Sequence, residues 1–258
     1  MTSLSAILLF LAAVLGGALN SVVGGGTFVV FPALLIAGVP AVAANATATI
    51  VLWPGGISSA LAYRDQIRLS RTLLIALSAA SLLGGGIGAV LLVRTPGAAF
   101  VRLVPWLLLF ATALLSFGGK LNSLLGVGSG AAEPGRHATF TVAAIQFLIS
   151  IYGGYFGAGM GILMLAALAL ARVGNIHVMN GIRTVLGALI NAVALVLFVF
   201  VHLIAWRPAI LMIVGATLAG YAGAAIAKRI DPKIVKRCVI VIAWTMTAYF
   251  FLKTYHVF

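Results

Sequence analysis

The chain has 258 residues, of which 63% are hydrophobic and only 7% charged. A soluble domain carries about 25% charged residues, so a water-soluble core is excluded. Lys and Arg number 16 against three Asp and Glu, a net charge of +13. The basic residues punctuate apolar runs of about twenty residues, so they read as topology determinants of a polytopic helical membrane protein, not as a nucleic-acid surface.

The first apolar run, residues 4–23, follows MTSLS, which has no basic residue, and carries no small-residue cleavage site. It reads as a retained helix rather than a signal peptide. Asn20 and the glycines Gly24, Gly25 and Gly26 interrupt it, and Thr27 opens a short run over 27–38. Twelve residues make a helix of roughly 18 Å against a hydrocarbon core of about 30 Å. That segment is expected to be a half-helix, re-entrant or paired with its neighbour. Segments at 41–63, 72–93 and 97–118 complete the first half, and 41–63 contains NATAT from Asn45 to Thr49.

The polar, Gly-rich stretch NSLLGVGSGAAEPGRHA separates a first transmembrane repeat, 1–120, from a second, 138–258, with 121–137 as the linker. Segments at 138–156, 160–171, 177–201, 208–227 and 233–252 repeat the first series. VGGGTF at Val23–Phe28 answers FGAGMG at Phe156–Gly161, and NATAT answers NGIRT at Asn180–Thr184. GGGIGAV from Gly84 answers GYAGAAI from Gly220. Thr95-Pro96 answers Asp231-Pro232, each pair suited to serve as N-cap and first-turn proline of a closing helix. The fold class expected is all-α, with two repeats of about five segments each, including short broken or re-entrant half-helices.

Charge placement orients the repeats. If the short segments change sides, the second repeat is inverted, and the loops at 64–71, 119–137, 172–176 and 228–237 share one side. That side carries eleven Lys and Arg, against four opposite. If the short segments do not change sides, the split is eight against seven. The positive-inside rule favours inverted repeats with both termini outside. The setting expected is a bacterial inner (cell) membrane.

Few residues can carry chemistry. The lone Cys238 and the scattered His137, His177, His202 and His256 offer no metal-ligand spacing. No metal or cofactor is expected, and no nucleophile with a base supports an enzyme. Asp65, Glu133 and Asp231 all fall in expected loops, so no intramembrane carboxylate is available for a proton relay. The two glycine breaks, Gly24–Gly26 and the set around Gly157 and Gly159, lie at equivalent places. A broken helix exposes N–H groups at the start of the next half-helix, where the dipole favours an anion. Asn20 and Tyr152 precede the two breaks and offer neutral hydrogen bonds.

One charge lies inside a membrane segment. Asn180, Arg183, Thr184, Gly187 and Asn191 form a single polar stripe on an otherwise apolar helix. Such an arginine costs roughly 2.5 kcal/mol or more at the centre of a membrane helix. It either snorkels to an interface as an anchor or supplies a fixed positive charge for an oxyanion, which its planar fork suits. Asn45 and Thr49 occupy the corresponding side in the first half, without the charge. Pairs such as Gly84 and Gly88 fit helix packing within a protomer or between protomers of a homodimer.

NSVVGGGTFVVFPALLIAGVPAVAANATATI resembles the first-repeat signature of the TauE/SafE sulfite exporter family. YGGYFGAGMGILMLAALAL, followed by MNGIRTVLGALINAVALVLF, resembles the second. The resemblance spans nearly the whole chain and implies a membrane transporter of a small anion, with sulfite, a sulfonate or a related organosulfur compound as the substrate class and export as the direction. The partners expected are that anion and the lipid bilayer, with the anion near the midplane between the two glycine-broken helices. A passive anion channel and a permease for a non-sulfur organic anion are the alternatives.

Overall fold

The computed structural model describes residues 3–22, 25–63, 70–124, 136–171, 173, 176–227 and 232–255. These form ten α-helices: α1 Ser3–Val22, α2 Thr27–Ile36, α3 Ala41–Tyr63, α4 Arg71–Arg94, α5 Gly97–Leu124, α6 Arg136–Tyr155, α7 Met160–Leu170, α8 Ile176–Phe200, α9 Trp206–Ala227 and α10 Pro232–Thr254. Each expected segment is present. The largest departure is α5, which continues to Leu124 into the stretch read as linker. Arg136 and His137, also read as linker, open α6, while residues 125–135, with Asp65, Glu133 and Asp231, lie outside the described residues.

Local chemistry sets the helix ends. Gly38, at φ 85°, closes α2: its N–H donates to Leu35 O at 3.1 Å and the Val39 N–H donates to Leu34 O at 3.0 Å. This is a Schellman-type stop, which requires a left-handed residue. The carbonyl of Pro40 then accepts the Ala44 N–H at 2.7 Å and starts α3. At α5 the Pro96 carbonyl accepts the Phe100 N–H at 2.9 Å, so Pro96 rather than Thr95 holds the capping position. Pro232 opens α10, as its fixed φ favours.

Among the described residues, four helical stretches, Arg71–Arg94, Gly97–Gly118, Val178–Phe200 and Arg237–Thr254, are long and apolar enough to cross a membrane by length and composition. Shorter apolar helices include Thr27–Ile36 and Met160–Leu170. Large apolar side chains such as Leu83, Phe140 and Phe200 are 66%, 77% and 76% exposed, a surface suited to lipid.

The helices form two compact units, each drawing on both halves of the sequence. One comprises Met1–Gly55, Val93–Thr112 and Phe198–Phe258. In it α1 lies along α9, with Gly17 against the backbone of Ala216 and Gly215 against the ring of Phe10. Small residues allow this close approach. Phe28, Phe31, Leu34, Phe100 and Leu108 fill its interior. Thr47 Oγ1 donates to Ala43 O and accepts the N–H of Ala205 at 3.1 Å, tying α3 to the start of α9. The hydroxyls of Thr112 and Thr247 share a buried hydrogen bond of 3.1 Å between α5 and α10.

The second unit comprises Gly56–Leu92 and Ala113–Leu197. Its core joins Leu73 and Leu77 of α4, Ile149 of α6, Met164 and Leu168 of α7, and Ile182, Leu186 and Ile190 of α8. Gly84 and Gly88 place α4 directly against the backbone of α6 at Phe147 and Ile151. That pair is therefore used for packing within the protomer. Gln146 Nε2 donates to Ser81 Oγ at 2.9 Å and to Ser150 Oγ at 3.1 Å, a buried polar bridge between the same two helices.

Candidate functional site

The break between α6 and α7 is built by two left-handed glycines. Gly157 and Gly159 have φ of 78° and 77°, a conformation that other residues adopt only with strain. The N–H groups of Phe156 and Gly157 both donate to Tyr152 O, at 2.9 and 3.2 Å, and close α6. Tyr152 Oη donates to Ala158 O at 2.6 Å, pinning the turn from the side chain. Tyr152 therefore shapes the break, and this hydrogen bond commits its proton to the backbone.

At the start of α7, the Met160 N–H donates to Gly157 O at 3.3 Å and the Ile162 N–H to Gly159 O at 3.0 Å. The break thus satisfies some of its own donors and does not present a full crown of open amides. The positive end of the helix dipole remains, and a side-chain charge joins it. A methyl group placed on Gly161 would stand 3.2 Å from Cδ and 3.3 Å from a terminal guanidinium nitrogen of Arg183. The arginine side chain therefore lies across the first turn of α7, in tight contact with Gly161.

The rest of the α8 stripe follows. Met179, Ile182, Leu186 and Ile190 form its buried face, while Asn180, Arg183, Thr184, Gly187 and Asn191 are half-buried on the other. Gly187 faces the tip of Met160, 3.5 Å from where its Cβ would stand. Thr184 Oγ1 donates to Gly181 O at 2.8 Å, so this hydroxyl is turned back on its own helix. Arg183, Gly187 and the α7 start are brought together; for Asn180 and Asn191 the structure places the residues on the same face of α8.

The first unit contains a quieter version. Gly26 caps α2, with φ −59° and no side-chain cap, and the Val29 and Val30 N–H groups return to its carbonyl at 3.1 and 3.0 Å. A Cβ on Gly26 would meet Asn20 Cβ at 2.9 Å and Leu52 Cδ2 at 2.9 Å. Asn45, Thr49 and Leu52 share one face of α3, so this face carries the contact to the α2 start, as the α8 stripe does to α7. Asn45 is buried, and its main-chain carbonyl accepts the Thr49 hydroxyl at 3.0 Å. Thr27 is half-buried and Gly25 is buried against Val239. Gly24 lies outside the described residues. Ala48 stands where the second repeat has Arg183.

Sequence reasoning missed the role of Gly161 and of Met160, which wedges between Gly153 and Gly187. The signal for Gly161 was its place at the end of FGAGMG, the stretch that answers VGGGTF.

The profile described as sulfite exporter TauE/SafE matches residues 9–250. A Sinorhizobium sp. protein named "Probable membrane transporter protein ORF9" is 30% identical over 242 residues, covering 91% of this chain and 88% of its own. A Haemophilus influenzae protein named "Probable membrane transporter protein" is 23% identical over 245 residues, covering 93% and 92%. No solved structure matches the chain significantly.

Proposed function

Because the chain belongs to the sulfite exporter TauE/SafE family, a family of membrane transporters and not enzymes, we propose that it carries a small anion of the sulfite, sulfonate or related organosulfur class across a bacterial inner membrane. The observation that carries this reading is Arg183 lying across Gly161 at the first turn of α7. A guanidinium inside a membrane helix is costly unless it meets an opposite charge or polar partners. Here it is added to the positive end of a helix dipole, and both favour an oxyanion. Asn180 and Asn191 supply neutral hydrogen bonds along the same face, while Thr184 and Tyr152 set backbone geometry.

Inverted repeats are part of the same proposal. Thr112 and Thr247 are 135 residues apart, the spacing that also relates Asn45 to Asn180. Equivalent residues touch each other only near the axis that relates them. Each compact unit also pairs the first helix of one repeat with the fourth of the other, α1 with α9 and α6 with α4. Such exchange is expected of two interlocked copies, and it supports the topology with eleven basic residues on one side.

The test is a thermal-shift panel of sulfite, sulfate, thiosulfate, sulfoacetate, chloride and acetate on the purified protein and on Arg183→Gln, at matched ionic strength. A concentration-dependent rise for one anion, absent in the variant, supports the site. Equal responses in both proteins make Arg183 an anchor. Proteoliposome flux that saturates, without single-channel current, separates a carrier from a passive channel.

A further inference from the structure

A second cationic feature lies in the first unit, on elements the anion site does not use. A cavity of about 520 Å³ opens among the end of α2, the start of α3, the first turns of α5 and the last turn of α10. Leu35, Val39, Ala98, Val101, Val104 and Phe250 make its wall apolar, and Arg102 and Lys253 supply two positive charges. Among the described residues there is no carboxylate to meet them, since the three acids of the chain fall at 65, 133 and 231.

The aromatic surroundings give the depth. Trp106 Nε1 donates to Tyr255 Oη at 2.9 Å, and Tyr255 Oη reaches the Arg102 carbonyl at 3.4 Å. Lys253 Nζ stands 5.7 Å from the centroid of the Tyr249 ring. Trp106, Tyr249 and Tyr255 are 55%, 41% and 49% exposed. Exposed Trp and Tyr mark the level of lipid headgroups, where one edge of the ring is dry and the other wet.

Topology makes the two charges more informative. In the inverted arrangement proposed above, only Arg94, Arg102, Arg207 and Lys253 lie on the side poor in basic residues. The positive-inside rule does not explain these four, yet two of them line one cavity. A hydrated small oxyanion has no use for a mostly apolar wall. An amphiphile with a phosphate head and acyl chains matches both parts.

We propose that this cavity binds an anionic phospholipid, with the phosphodiester between Arg102 and Lys253 and an acyl chain along Val101, Val104 and Phe250. The experiment is native mass spectrometry of the full-length protein in detergent, titrated with phosphatidylglycerol, phosphatidylcholine or inorganic phosphate. Phosphatidylglycerol is expected to bind tightest, and Arg102→Gln and Lys253→Gln each to weaken it about five-fold. Ala98→Phe, which narrows the cavity and keeps both charges, is expected to weaken phosphatidylglycerol as well, and it decides the matter if a charge variant fails to fold. Equal binding of both lipids, or unaltered phosphatidylglycerol binding in the charge variants and in Ala98→Phe, overturns the proposal. Inorganic phosphate binding as tightly as the lipid overturns it too, in favour of a soluble anion. None of these readouts depends on transport or on Arg183.

Discussion

Gly161 gives the sharpest test of the anion site, because the three atoms nearest a Cβ there all belong to Arg183. Gly161→Ala places a methyl 3.2 Å from Arg183 Cδ, so the flexible side chain gives way by a few tenths of an ångström. The helix gains up to about 1 kcal/mol from replacing glycine in its first turns, which offsets that shift. Stability without anion is therefore expected to change by less than about 1 kcal/mol. Gly161→Leu goes further and drives the guanidinium off the α7 start. A charged hydrogen bond is worth about 1.5–3 kcal/mol, so affinity for the stabilising anion is expected to fall at least about ten-fold. At an anion concentration of 100 times the wild-type Kd, ligand stabilisation then drops from about 2.7 to about 1.4 kcal/mol. The assay is the anion-dependent rise in Tm, read at several concentrations for wild type, Gly161→Ala, Gly161→Leu and Arg183→Gln. A graded loss with all four proteins folded is the expected result. If Arg183→Gln abolishes the response and Gly161→Leu keeps it in full, the guanidinium acts away from the break, and the reasoning fails.

Gly88→Ala is expected to destabilise by about 1–3 kcal/mol, since its Cβ would run into the Ile151 carbonyl; Gly86→Ala, whose nearest neighbour is Val193 Cγ2 at 3.7 Å, is expected to be neutral or stabilising, and the two Tm values compare them directly. His202 sits at φ 55° in the turn after α8, with its N–H on Val199 O, so His202→Gly should raise stability by roughly 1 kcal/mol; an unchanged or lower Tm counts against strain there. Ser81→Ala removes an acceptor of Gln146 Nε2 in the α4–α6 bridge, and a double-mutant cycle with Gln146→Leu should return a coupling of about 0.6–1.7 kcal/mol. A coupling of zero would make that bridge incidental.

The sequence by itself determined the elements of this protein. In lipid every backbone group must be satisfied within its own helix, so apolar length, glycine and proline mark the segments with little ambiguity. Gly157 and Gly159 were legible as a break because left-handed backbone demands glycine, and Arg183 stood out because a charge in an apolar run is expensive. Tertiary structure alone decided what these residues touch. Membrane helices are apolar nearly all round, so periodicity says little about which face meets which partner. Arg183 meets Gly161 only because α7 folds back along α8; Thr112 finds Thr247, and Arg102 and Lys253 share a cavity, across gaps of well over a hundred residues. The packing of Gly84 and Gly88 on α6 was equally hidden, since the same small-residue spacing serves contacts inside or between protomers. Local rules choose where a helix starts and stops, and only close packing within each unit chooses its neighbours.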